Sequence, residues 1–424
     1  MPDETPTPTQ TLSPASTSSS ALDQRAVPER PASVWLTRLV VVALVLAAVN
    51  LRPAITSLGA LFEEVRDGLG MSGSVAGVLT SVPPLCFAVF GVAAPRLARR
   101  FGLAAVVCAG MVAITAGLVI RPFAGGTVGF LAASVLTLMG IALSNVLMPV
   151  IVKRYFPDRV GSMTGLYSMA LALGTSVAAV ATVPITSALG GSWRTGLVIW
   201  AVLGAVAVLA WAPLAGGRGA AAAPQADAGG TPPKVFRSRT AWALACFFGL
   251  QATSAYITMG WLPQIFRDAG VPASTAGLLL AVTMGLGIPL SFVLPNVAAR
   301  MKNQGPLAAV LGLCGLVAYA GLHFAPVSGA WVWVLLLGVS MCTFPLVLTL
   351  IGMRSRTGAG VVRLSTFVQS TGYLIAIPGP LLIGVLYEHS GGWGLPITLM
   401  AGLMVPQIVL GILAGRDRTI EDEC

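Results

Sequence analysis

The chain is 424 residues long, 56% hydrophobic and only 9% charged, with a mean hydropathy of +0.86 and a formal net charge of +10. Ordinary soluble domains carry about a quarter of their residues as charges, so this balance excludes that class. The six cysteines, Cys86, Cys108, Cys246, Cys314, Cys342 and Cys424, have no paired spacing and five fall in apolar runs. They read as small packing residues, and neither a disulfide framework nor a metal site is expected.

In chain order, the first 33 residues are rich in Ser, Thr and Pro and contain no apolar run. Residues 1–35 are therefore expected to form a disordered cytoplasmic tail. The first apolar segment starts late and is long, so it reads as a retained span rather than a cleaved signal. Twelve segments are long enough to cross a bilayer as helices: 39–58, 74–95, 104–121, 126–150, 161–188 and 195–214, then 240–261, 274–297, 307–325, 330–352, 364–386 and 395–414. Their apolar stretches are continuous rather than alternating, which favours helices over a barrel. The expected fold class is an all-α polytopic membrane protein of 12 transmembrane helices.

Residues 215–238 contain Gly216-Gly217, an alanine run and Pro232-Pro233. They read as a cytoplasmic linker between a six-helix bundle at 36–214 and a second at 239–414, followed by a cytoplasmic tail at 415–424. With both termini in the cytoplasm, Arg66, Arg121, Arg194 and Arg267 lie outside, Arg52 lies within a span, and the other 20 Lys and Arg lie inside. The positive charge thus reads as topology in an inner membrane, and no nucleic-acid partner is expected.

The halves repeat at an offset of roughly 200 residues. Arg66-Asp67 followed by Ala76-Gly77 recurs as Arg267-Asp268 followed by Ala276-Gly277, and Pro95-Arg96-Leu97-Ala98-Arg99-Arg100 recurs as Pro295-Asn296-Val297-Ala298-Ala299-Arg300. Two parallel repeats of six spans are the architecture of a major facilitator, which holds its substrate between the halves near the midplane and rocks one half against the other.

Arg52 lies in the first apolar run, within Asn50-Leu51-Arg52-Pro53. An arginine at mid-membrane costs about 2.5–3.5 kcal/mol on insertion scales, and such residues face a bundle interior or an aqueous cavity. Its planar fork suits an anion or a nitro group; it could also brace the kink at Pro53 by bonding freed carbonyls, and the two roles can coexist. The drawn spans contain no Asp or Glu, which leaves Arg52 without an expected counter-ion. Asn50 on the first span and Gln251 and Tyr256 on the seventh occupy corresponding places in the two halves, and both spans are expected to border the cavity.

Three further stretches carry a resemblance. Asn50-Leu51-Arg52-Pro53, Asn145-Val146-Leu147-Met148-Pro149 leading to Val152-Lys153-Arg154-Tyr155-Phe156-Pro157, and Leu364-Ser365 with Gln369-Ser370-Thr371-Gly372-Tyr373 and Gly379-Pro380 resemble the cyanate and 2-nitroimidazole transporter branch of the major facilitators. The resemblance implies a single-polypeptide carrier for a small anion or a small polar heterocycle. The sequence departs from many major facilitators after the second span, where Gly91 to Arg96 lacks the usual Asp. Arg96, Arg99, Arg100 and Arg300 are the gating candidates in the cytoplasmic loops.

The other candidate substrate contacts are Asn145, Tyr167, Gln369 and Tyr373, each with packing or helix linkage as the alternative. Trp261, near a helix end, reads as an interfacial belt residue. Neither a His-Glu-x-x-His motif nor a Gly-x-Ser-x-Gly elbow occurs, so no enzyme and no cofactor are expected. The partners expected are a small anionic or nitro-substituted molecule and the lipid bilayer, for a monomer. Export of an uncharged antimicrobial, or ligand sensing without transport, stay open as alternatives.

Overall fold

The structure, a computed structural model, describes residues 34–156, 159–216 and 235–423. Most of the expected N-terminal tail and of the linker lies outside these residues. Among the described residues the chain is helical and forms no strand. Among the described residues, eleven helical segments are long and apolar enough to span a membrane. A further helix, Arg239–Asp268, has 30 residues and carries Gln251, Thr253, Ser254, Tyr256 and Thr258 in its middle, which makes it less apolar than the others. In chain order it is numbered the seventh.

The helices outrun the apolar stretches. The second span is Gly73–Phe101 and the fourth Thr127–Tyr155, ending on Arg99-Arg100 and Lys153-Arg154. Cations at a helix C-terminus face the negative end of its dipole, so the helix continues past the hydrocarbon into the polar boundary.

The first span is broken. Val34–Asn50 stops at the Leu51-Arg52 turn, and Pro53–Ala60 resumes with Pro53 at its first position. Proline has no N–H to return to the carbonyl four residues back, here Val49. Gly174 of the fifth span, Val160–Ala188, lies against that carbonyl so closely that a Cβ there would sit 2.1 Å from it.

Packing repeats between the halves. In the first half the third span, Leu103–Ile120, packs on the fourth and on the sixth, Trp200–Ala215, while the first packs on the fifth. In the second half the ninth, Gly305–Phe324, packs on the tenth, Ala330–Met341 with Thr343–Met353, and on the twelfth, Gly394–Ala414. The seventh packs on the eleventh, Gly358–Ala376 with Pro378–Ser390. The halves meet where the second span crosses the eleventh, where the fifth crosses the eighth, Ala273–Gly285 with Gly287–Arg300, and where the first meets the seventh.

The repeated Ala-Gly pair explains two of these crossings. A Cβ on Gly77 would lie 2.8 Å from the Leu381 carbonyl, and one on Gly277 would lie 2.5 Å from that of Ala179. Only glycine lets the two backbones approach this closely. Just before each crossing the chain turns at Gly70 (φ 60°) and Gly270 (φ 93°), a left-handed conformation that glycine adopts without strain.

Candidate substrate site

The distal end of the molecule, opposite the end that carries the described chain termini, is closed by contacts between the halves. Arg267 bonds Glu63 at 2.7 Å and Glu64 at 2.9 Å. Glu388 accepts from the backbone N–H (2.7 Å) and the hydroxyl (2.6 Å) of Ser74. Trp261 is fully buried, donates to Thr80 Oγ1 at 3.2 Å, and packs edge-on against Phe62 and Trp393. This corrects the belt reading of Trp261: its indole N–H is satisfied by a hydroxyl of the other half instead of by interfacial water.

Beneath this seam lies Arg52. The break before Pro53 holds its backbone at φ −119° and ψ −29°, and its side chain keeps partial exposure. The guanidinium lies close enough to the Tyr256 and Tyr373 phenols to act electrostatically on both. Among the described residues no carboxylate lies within ion-pair range of it. A rigid aromatic wall adjoins these phenols. Phe87 stacks on Tyr373 with centroids 4.8 Å apart and stands 6.4 Å from Tyr256, while Phe248 meets Tyr373 edge-on at 5.1 Å. Tyr256, Tyr373, Phe87 and Phe248 are all buried. The cluster draws on the first, second, seventh and eleventh spans, so any movement of one half against the other must remake it.

The other candidates go elsewhere. Asn50 is fully buried and points toward the third span, its Nδ2 lying 3.8 Å from Met111 Sδ, with Gly204 of the sixth span beside it. Gln251, its counterpart in the repeat, turns the same way: it donates to the Met341 carbonyl at 3.3 Å and accepts from Gln407 at 3.1 Å. Both face the interior of their own half rather than the crossing. Gln369 is engaged along its own helix with Ser365 at 2.8 Å. Asn145 is half-buried, and Tyr167 is half-buried against the core near the crossing. Arg96, Arg99, Arg100 and Arg300 are exposed at the terminal end, with Arg100 over the Phe101 ring at 5.2 Å.

Sequence reasoning missed Phe87, which in an apolar run is indistinguishable from a packing residue. It also missed Arg121, counted as a flank charge but in fact 2% exposed.

A family model for the Major Facilitator Superfamily matches residues 40–376. The chain belongs to that superfamily. This transporter is 33% identical over 395 residues to an uncharacterized transporter, YycB, of Bacillus subtilis, covering 92% of this chain and 95% of that one. It is 32% identical to the 2-nitroimidazole transporter of Escherichia coli over 90% of this chain and 97% of that one, and 30% identical to the cyanate transport protein CynX of the same organism over 85% and 94%. Within the superfamily it is a transporter of that branch and not an enzyme. Solved structures share its fold: the nucleoside transporter NupG at a TM-score of 0.67 and 13% identity, covering 89% of this chain and 98% of that one, and a bacterial homolog of the human lysosomal transporter Spinster at 0.69 and 16%, covering 91% and 96%.

Proposed function

We propose that this transporter carries a small anion of the cyanate type, or a small nitro-substituted heterocycle, by alternating access, with Arg52 as the group that recognises it. The observation that carries this reading is a partly exposed arginine at the crossing of the two halves, next to two phenols and, among the described residues, without a carboxylate partner. A guanidinium offers paired N–H donors to a planar or linear acceptor, and the neighbouring phenol can add a third. The names of the two Escherichia coli relatives support both cargo types. The aromatic wall of Phe87, Tyr256 and Tyr373 favours the heterocycle as a second reading, because a flat ring stacks on such a wall whether or not it is charged.

In this reading the distal end faces outward, both termini lie in the cytoplasm, and the protein works as a monomer in the inner membrane as two bundles, 36–214 and 239–414. Arg267, Glu63, Glu64, Glu388 and Ser74 then form the outer latch, and Arg96, Arg99, Arg100 and Arg300 frame the cytoplasmic mouth. Glu388 and Asp268 serve the latch rather than proton coupling. Asp268 already accepts from Gln264, Tyr387 and Trp393.

The test is thermal stabilisation of purified wild type and Arg52→Gln by a panel of small anions and nitro-heterocycles, since a ligand bound to the folded state raises its apparent stability. Stabilisation by anions that disappears in Arg52→Gln is the expected result. Equal anion stabilisation of both proteins would reduce Arg52 to a brace for the Pro53 kink.

A further inference from the structure

Arg121 ends the third span and is almost completely buried, yet most of its guanidinium is unused. Nη1 donates to the Ala54 carbonyl at 3.1 Å, and the Phe130 ring covers the guanidinium at 5.4 Å. Among the described residues, Nε and Nη2 have no hydrogen-bond partner, and no carboxylate pairs with the charge. A buried cation left in this condition is costly, because neither water nor an opposite charge replaces its lost hydration. A role as a staple for the first span uses one donor and leaves the other two without a purpose.

Arg121 lines two spaces at once. On one side is a narrow cavity of about 20 Å³ that reaches Thr80, Ser134 and Tyr256, the phenol that also neighbours Arg52. On the other is a wider recess at the distal end, about 230 Å³, lined by Arg194 and the Pro122–Gly126 turn. Arg194 is held there by its Nε on the Pro122 carbonyl at 3.1 Å and by stacking over Trp193 at 4.6 Å.

The geometry points to Arg121 as a second anion-binding station, between the distal recess and the Arg52 site. It offers an unpaired positive charge to a small monovalent anion, with Tyr256 as the wall shared by both stations. The proposal rests on reading this protein as an anion carrier through Arg52. The cavity sets a size limit: one water needs about 10–15 Å³ of such space, so it takes a two- or three-atom anion and excludes a nitroimidazole ring. Two stations of like charge in series let an anion move from one to the other without crossing an uncharged apolar stretch.

The experiment uses the purified full-length protein and sodium azide, a linear triatomic anion isoelectronic with cyanate that does not carbamoylate lysines. Sodium gluconate at equal ionic strength is the control, and 2-nitroimidazole is the ring probe. Binding is followed by isothermal titration calorimetry against probe concentration for wild type, Arg52→Gln, Arg121→Lys and Ser134→Leu, and for Arg52→Gln combined with each of the other two. Ser134→Leu fills the narrow cavity without touching the Arg121 staple.

The expected result is two saturable steps of azide binding in wild type. One persists in Arg52→Gln, and that persisting step weakens at least tenfold when Ser134→Leu or Arg121→Lys is added to Arg52→Gln. The 2-nitroimidazole response is unchanged by Ser134→Leu. If azide binds Arg52→Gln no more than gluconate does, or if the step that persists survives Ser134→Leu, the second station is overturned. If Arg52→Gln keeps both steps while Ser134→Leu loses one, the second station stands and the reading of Arg52 fails instead.

Discussion

Arg354, near the terminal end of the tenth span, and Arg121, at the distal end of the third, are each 2% exposed, but their surroundings differ. Arg354 donates from Nε to the Ala414 carbonyl at 3.1 Å and from Nη2 to the Gly415 carbonyl at 2.9 Å, and it also bonds Gln304, with Asp417 3.8 Å away. Gln304 in turn bonds the Ala298 carbonyl at 3.0 Å. Arg354 thus ties the ends of the eighth, ninth, tenth and twelfth spans into one polar knot. Among the described residues Arg121 donates only to Ala54. Burial alone therefore treats the two alike; in the proposed reading it is the count of satisfied donors that separates a structural arginine from a ligand-binding one. Arg52, half-buried and without a carboxylate partner among the described residues, falls on the side of Arg121.

That contrast is open to direct challenge, and the largest effect is expected at Arg354. Replacing it with Met strands Gln304 and two carbonyls, and breaking a buried charged network of this kind costs about 3–5 kcal/mol. Arg354→Met should melt far below wild type while its surviving folded fraction binds ligand normally; a ligand defect without loss of stability would erase the distinction. Next, Arg52→Lys keeps the charge but loses the fork, so transport should fall by at least about tenfold with an unchanged melting temperature. Both properties falling together would make Arg52 another Arg354.

A smaller effect is expected at the distal seam. Arg267→Gln removes two ion pairs that are partly exposed, each worth about 1 kcal/mol or less. The variant should fold normally but label several-fold faster at a Thr80→Cys reporter with an impermeant thiol reagent. Unchanged labelling would show that apolar packing around Trp261 holds the seam without Arg267.

The smallest effect concerns the folded C-terminal end. Burial pushes the Glu423 carboxyl up, but hydrogen bonds from Ser238 and from the Thr240 N–H and hydroxyl outweigh that and hold it below its ordinary value of 4.5. A carboxyl depressed in the folded state adds stability above its unfolded pKa and loses it as pH falls through the folded one. Wild type should therefore lose slightly more stability than Glu423→Gln below about pH 4.5, as read by melting temperature. Parallel curves would remove this contact from the account.

Eleven of the twelve expected spans were legible in the sequence because each is a continuous apolar run, and the pairing of the halves because Arg-Asp and Ala-Gly recur in order. Arg52 was legible because a charge in the middle of such a run needs a cavity or a broken helix to face. The direction each helix turns its polar residues was not. Asn50 and Gln251 sit at matching positions as expected, yet both face inward, since a helix's rotation is set by its neighbours and not by its own composition. The repeat itself held the missing hint: a matched amide pair is as consistent with the same packing job in each half as with one shared cavity. Arg121 escaped because a charge at the edge of an apolar run looks like an interfacial anchor until the packing is known.

The most direct test of the central claim is uptake of radiolabelled cyanate into proteoliposomes by wild type and Arg52→Gln, matched for protein abundance and orientation. The account predicts rapid, saturable uptake by wild type and none above protein-free vesicles in Arg52→Gln. Uptake by Arg52→Gln within twofold of wild type would contradict it.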